Sequence, residues 1–172
     1  MVSIATPMQQ RSYSLSFASE LDVPRASVWE IVGTMKGVNE ELGPWLRMTA
    51  PPQALNLRIE NAPIGRPMFV SWVLFAAVLP IDRHRFMLAH VDAGHGFVED
   101  STSWSQRRWE HRRHLEPYGE RRCIITDRLS FTPRVAAAGA FLASVIGVIF
   151  RHRHRRLRER FGGRPIAPAP TT

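Results

Sequence analysis

Residues 103–133 read S-W-S-Q-R-R-W-E-H-R-R-H-L-E-P-Y-G-E-R-R-C-I-I-T-D-R-L-S-F-T-P. The two halves flank a turn at E-P-Y-G-E and alternate in side-chain character with a period of two, as an antiparallel hairpin does. Trp109, His111, Arg113 and Leu115 share one face of the first half, and Arg108, Glu110, Arg112 and His114 share the other. On the second half Cys123, Ile125, Asp127, Leu129 and Phe131 make up the apolar face. The charged face goes to solvent, which leaves His111, Arg113 and Asp127 as titratable groups among large apolar side chains. Pairing must keep like faces together. A turn centred on Tyr118 and Gly119 predicts that Leu115 faces Cys123, Arg113 faces Ile125 and His111 faces Asp127. Directly opposed Cβ atoms lie roughly 4.5–5.5 Å apart, which predicts a His111–Asp127 contact.

Working outward, Y-S-L-S-F near residue 15 alternates like a half-buried strand after a loose leader over 1–11. Pro24 can open a helix in which Val28, Ile31, Val32 and Met35 recur at helical spacing and which Gly37 closes. Asn39 is placed to cap a second short helix, E-E-L-G-P-W-L, before the Pro51-Pro52 break. L-N-L-R-I-E, F-V-S-W-V-L-F-A-A-V and R-F-M-L-A-H-V then read as strands leading into the hairpin. They are punctuated by A-P-I-G-R-P, L-P-I-D and D-A-G-H-G, the turns of an antiparallel meander. From Arg134 one long helical segment runs to Phe161. It carries a small-residue stripe, Ala136, Gly139, Ala140, Ala143 and Gly147, beside a bulky one that includes Phe141, Leu142, Val145 and Ile149. The Pro-rich tail from 163 to 172 is expected to be flexible.

A strand, two short helices, a run of antiparallel strands and one long terminal helix pack compactly when the sheet curls around that helix. Over residues 12–162 the chain resembles the helix-grip fold, an α+β architecture, of the SRPBCC superfamily of START, Bet v 1-like and polyketide cyclase-like proteins. The resemblance rests on L-D-V-P-R-A-S-V-W-E-I-V at the first helix, the P-I-G turn, the W-x-H strand, T-D-R-L-S-F and the terminal F-R-H-R-H-R-R-L. It implies a hydrophobic small-molecule ligand, lipid-like or polyketide-like, in a cavity between sheet and helix. Fold alone does not choose among such ligands.

Trp72, Phe75, Phe86, Leu88, His90, Trp109, Ile125, Leu129, Phe131, Phe141 and Val145 are the expected lining, with Phe97 and Trp104 as further aromatic bulk. His111, Asp127 and Arg113 are the candidate catalytic group. A carboxylate beside an imidazole stays ionised and fixes its tautomer, leaving the other ring nitrogen for a ligand or a proton. That suits proton transfer in an aldol-type ring closure, as in the cyclase-like members. Mutual neutralisation of buried charges accounts for the same three residues without chemistry. The small stripe on the terminal helix either admits a close backbone or leaves room for a guest. Among the other histidines, His84 flanks a strand, and His152 and His154 sit in a basic run that reads as a solvated helix end, while Phe150, His154, Leu157 and Phe161 keep the spacing of one buried helical stripe past the start of the arginines.

The 172 residues fit one domain, and 44% hydrophobic with 22% charged residues is a globular composition. The net charge of +8 is bunched at Arg107–His114 and Arg151–Arg160, and Lys36 is the only lysine. Arginines at a helix C-terminus gain from the helix dipole, which explains them without nucleic acid. The apolar run Val135–Phe150 makes roughly 24 Å of helix, short of the roughly 30 Å of bilayer hydrocarbon, but with its arginines it could rest transiently on an anionic membrane surface. A single cysteine excludes an intrachain disulfide, and no stretch has the form of a signal peptide, so a cytoplasmic protein is expected. Phosphate-binding loops, nucleophile elbows and metal-ligand spacings are missing from the sequence, so no cofactor and no metal are expected.

Overall fold

The computed structural model describes residues 11–55 and 57–168. Eight strands form one antiparallel sheet in the order β2-β3-β4-β5-β6-β7-β1-β8, and a long helix, α4 (Gly139–Phe161), lies in its concave face. The strands are β1 (Tyr13–Leu21), β2 (Leu46–Met48), β3 (Pro67–Phe75), β4 (Leu79–Asp92), β5 (Gly96–Ser103), β6 (Gln106–Tyr118), β7 (Arg122–Pro133) and β8 (Arg164–Ile166). Helices α1 (Arg25–Val32), α2 (Met35–Leu42) and α3 (Pro52–Leu55) bridge β1 to β3. This is the expected α+β helix grip.

Face parity in the hairpin is as read. Trp109, His111, Arg113 and Leu115 are buried, as are alternate residues of β7 from Cys123 to Phe131. The register differs by two residues. Leu115 pairs Ile125, Arg113 pairs Asp127 and His111 pairs Leu129, because β6 runs on to a Tyr118–Arg122 pair and the loop is Gly119-Glu120-Arg121. Gly119 has φ +71°, which glycine adopts freely. A two-residue shift preserves parity, so the pattern of side chains does not distinguish the registers.

Local chemistry corrects other boundaries. The first helix stops at Gly33, and Thr34 caps the second by accepting from the Gly37 amide, so Met35 and Gly37 belong to α2. Asn39 lies within α2, where its side chain donates to and accepts from the Met48 backbone. A Cβ on Gly37 would fall 1.9 Å from the Ile31 carbonyl oxygen, so this helix crossing needs glycine. The described residues of L-N-L-R-I-E, Leu55 and Leu57–Glu60, form no strand: Leu55 ends α3, which Pro52 opens, and Ile59–Asn61 is a 3₁₀ turn. L-P-I-D is the start of β4, and the turn before it falls at Ala76-Ala77. Arg164–Ile166 pairs with β1 and so belongs to the sheet, whereas 1–10 and 169–172 lie outside the described residues.

Two apolar clusters hold α1 and α4 to the sheet. One joins Leu21, Val28, Trp29, Leu115, Ile125 and Leu157, and the other joins Trp109, Leu129, Phe131, Ile146 and Phe150. Each fully buried side chain of this size stabilises the fold by about 1.5–3 kcal/mol. The expected helical stripe Phe150, His154, Leu157 faces inward, with Phe161 half-buried at its end.

Candidate functional site

Between the sheet, α2 and α4 lies a cavity of about 520 Å³, within the range of small-molecule sites. Of the expected lining, Phe86, Leu88, Trp109, Phe141 and Val145 are on its wall, together with Phe97 and His111. Six others are not. Ile125, Leu129 and Phe131 are on the inner face but are filled over by helix side chains of the two cores. Parity in β3 turns Phe69 and Val73 inward, so Trp72 faces out and packs edge-on against Trp104 at 4.8 Å. Phe75 stands half-exposed at the hairpin end. In β4 a bulge between Leu88 and His90 reverses parity, pairing Leu88 with Glu99 but His90 with Val98, and His90 is exposed.

The bulky stripe of α4 faces the cavity. The small stripe admits close approach instead: a Cβ on Gly139 would fall 2.3 Å from the Tyr13 ring.

Beneath and beside the cavity His111, Arg113 and Asp127 come together as the sequence predicts. His111 Nε2 donates to Asp127 Oδ1 at 2.9 Å, reaching it diagonally across the strand pair. Arg113 donates in a fork to Asp127 at 2.8 and 2.7 Å, and with its outer nitrogens to Glu41 of α2 at 2.7 and 2.9 Å. Arg153 of α4 donates to Glu41 at 2.9 Å, and His154 Nε2 donates to Asp127 at 3.1 Å. His154 is therefore a buried member of the cluster, with Ser19 on its Nδ1 at 2.9 Å, and not a solvated helix end. His152 Nε2 donates to the Gly43 carbonyl at 2.7 Å, tying α4 to the end of α2.

Glu99 of β5 completes the arrangement. Its Oε1 accepts from His84 Nε2 at 2.5 Å, and its Oε2 lies 3.6 Å from His111 Nδ1. The second nitrogen of His111 thus faces a carboxylate just beyond hydrogen-bond distance. His84, Glu99, His111 and Arg153 are on the cavity wall, whereas Arg113, Glu41 and Asp127 lie behind it. Burial pushes Asp127 up, but the charge and hydrogen bonds of Arg113, with His111, win and hold its carboxyl well below the usual range. The same opposition, with Arg113 and Arg153 on the favourable side, holds Glu41 low, and His84 and His111 hold Glu99 low. All three stay ionised. Burial pushes the Cys123 thiol up to about 11 despite a weaker pull from Arg25, which suits an inert core thiol.

The hairpin contains the signal for His111, Arg113 and Asp127 because they break an apolar face. Glu99 breaks its face in the same way, sharing parity with Phe97, but G-F-V-E-D-S-T-S is too polar on both sides to read as a half-buried strand. Glu41 and Arg153 carry no local signal, since only tertiary packing buries them, whereas His154 shares the helical spacing of Phe150 and Leu157. Among the described residues no group of three or more His, Cys, Asp or Glu is placed to hold a metal ion.

A family model described as a domain of unknown function (DUF8410) matches residues 19–161. No curated protein matches the sequence. Among solved structures, the Zhui aromatase/cyclase from a Streptomyces species superposes with a TM-score of 0.66 at 11% identity, covering 87% of this chain and 93% of that one. A START superfamily protein from Mycobacterium smegmatis gives 0.61 at 10% identity, covering 86% and 96%. At such identities the likeness establishes the shared helix-grip fold.

Proposed function

We propose that this chain, a member of the DUF8410 family, is a cytoplasmic protein that binds a hydrophobic small molecule, lipid-like or polyketide-like, in the cavity between sheet and α4. The observation that carries the reading is the cavity itself. About 520 Å³ of space walled by Phe86, Leu88, Trp109, Phe141 and Val145 is unlike a packed core, and polar groups such as His84, Glu99 and His111 are a minority of its lining. In the stronger form of the reading the protein acts on its ligand as a cyclase or aromatase does, with His84 and His111 as the wall groups able to exchange a proton.

Native mass spectrometry of protein purified from its own host tests the reading. The expected result is a bound small molecule that disappears in Val145→Trp, which fills the cavity while leaving the cluster behind it intact. Folded wild-type protein that carries no adduct and takes up no apolar dye would sink it.

A second reading, a carrier that works at a membrane surface, is favoured by one observation. Ile81 and Phe141 line the cavity and are also 51% and 70% exposed, so they stand at its mouth. By length and composition Ala136–Phe161 would qualify as a membrane-crossing helix, and one stripe of it packs on the sheet with Arg153 and His154 tied to Glu41 and Asp127.

A further inference from the structure

We infer that the cavity selects a molecule whose polar head is an uncharged hydrogen-bond donor, a hydroxyl, phenol or enol, and that Glu99 is the residue that selects it. The inference rests on the cavity being a ligand site. Its ground is the balance of charge around the wall. Arg113 and Arg153 are answered by Glu41 and Asp127, two guanidiniums against two carboxylates. Two wall carboxylates remain: Asp82, which accepts from the Ser103 and Ser105 hydroxyls and the Trp104 amide, and Glu99, whose neighbours are imidazoles, His84 and His111.

An ionised carboxylate has about four acceptor directions. His84 takes one of them and His111 Nδ1 stands 3.6 Å off, so Glu99, itself on the cavity wall, keeps capacity toward the cavity. An acceptor with spare capacity on the wall calls for a donor. A carboxylate head would instead put a second negative charge beside Glu99 in a poorly screened space, where like charges repel strongly. The competing feature is Arg153, whose Nη1 has no partner among the described residues and whose guanidinium lies 4.7 Å from the Phe150 ring centroid. If Arg153 dominates, anions bind best.

Displacement of the neutral dye Nile red by three naphthalenes of similar size separates these cases. At pH 7.5, 2-naphthol should displace the dye at a concentration at least tenfold below that of 2-methoxynaphthalene, which cannot donate, and of 2-naphthoate, which is anionic. Glu99→Gln should bring 2-naphthoate to within threefold of 2-naphthol, with unchanged Nile red affinity showing an intact cavity. If that variant fails to fold, the wild-type ranking decides alone. Equal or tighter binding of 2-methoxynaphthalene or 2-naphthoate by the wild type overturns the selection and leaves the ligand site standing. Folded wild-type protein that binds no Nile red removes the site, and the selection with it.

Discussion

Asp127 is fully buried and accepts from Arg113 and His111 of β6 and from His154 of α4. Removing one partner of a buried ion pair leaves the other uncompensated, which costs about 3–5 kcal/mol. Asp127→Asn should lower the urea-unfolding free energy by that amount, and a loss under about 1 kcal/mol would mean that the pair is not the keystone its geometry implies. The acid limb of stability has a defined sign. Asp127, Glu41 and Glu99 all have folded pKa values below their ordinary ones, so the unfolded chain binds more protons as pH falls. Their stabilisation is complete above the ordinary carboxylate range, near about pH 4, and drains away below it. Urea midpoints measured from pH 5 to pH 2 should fall, and Asp127→Asn should fall less steeply, because one of the three depressed carboxylates has been taken out. Parallel curves would contradict the assignment.

At the scale of elements, parity was legible and register was not. Alternation along W-E-H-R-R-H-L and C-I-I-T-D-R-L-S-F identifies the buried face, because a charged residue on the wrong face would be left without water. Whether His111 meets Asp127 directly or diagonally turns on the length of the loop after Tyr118, which alternation does not encode. The bulge that expels His90 is invisible for the same reason. One glycine does encode strand pairing. A Cβ on Gly96 would sit 2.2 Å from the Arg113 carbonyl oxygen, a backbone atom that cannot rotate away. Gly96→Ala should therefore cost about 1–3 kcal/mol as an overpacked contact. The same β5–β6 pairing sets Glu99 opposite His111, so the preference for 2-naphthol should weaken in parallel. Wild-type stability in this variant would show that β5 can move off β6 freely.

For the whole molecule, the order of elements along the chain was enough to specify the helix grip, since one curled antiparallel meander and one long helix have few compact arrangements. The cavity mouth was less legible, because the exposure of an apolar side chain depends on where the sheet stops covering it. Ile81 and Phe141 are exposed at the cavity mouth, and Phe75, Val78 and Leu79 at the tip of the β3–β4 hairpin and Val148 of α4 are exposed as well; exposed large apolar side chains in such number mark a contact surface. Exposed Arg47, Arg83, Arg85 and Arg151 lie on the same elements or next to them, a combination suited to the interface of an anionic bilayer. Cosedimentation with phosphatidylcholine vesicles containing about one-third phosphatidylglycerol should show binding that weakens as salt rises. The double substitution Ile81→Asp with Phe141→Asp should reduce it at least tenfold. Both side chains are largely exposed, so unfolding free energy should stay within about 0.5 kcal/mol of wild type. Binding that survives the double substitution would place any membrane contact elsewhere, and wild-type protein that ignores the vesicles would leave the cavity to exchange its ligand through water.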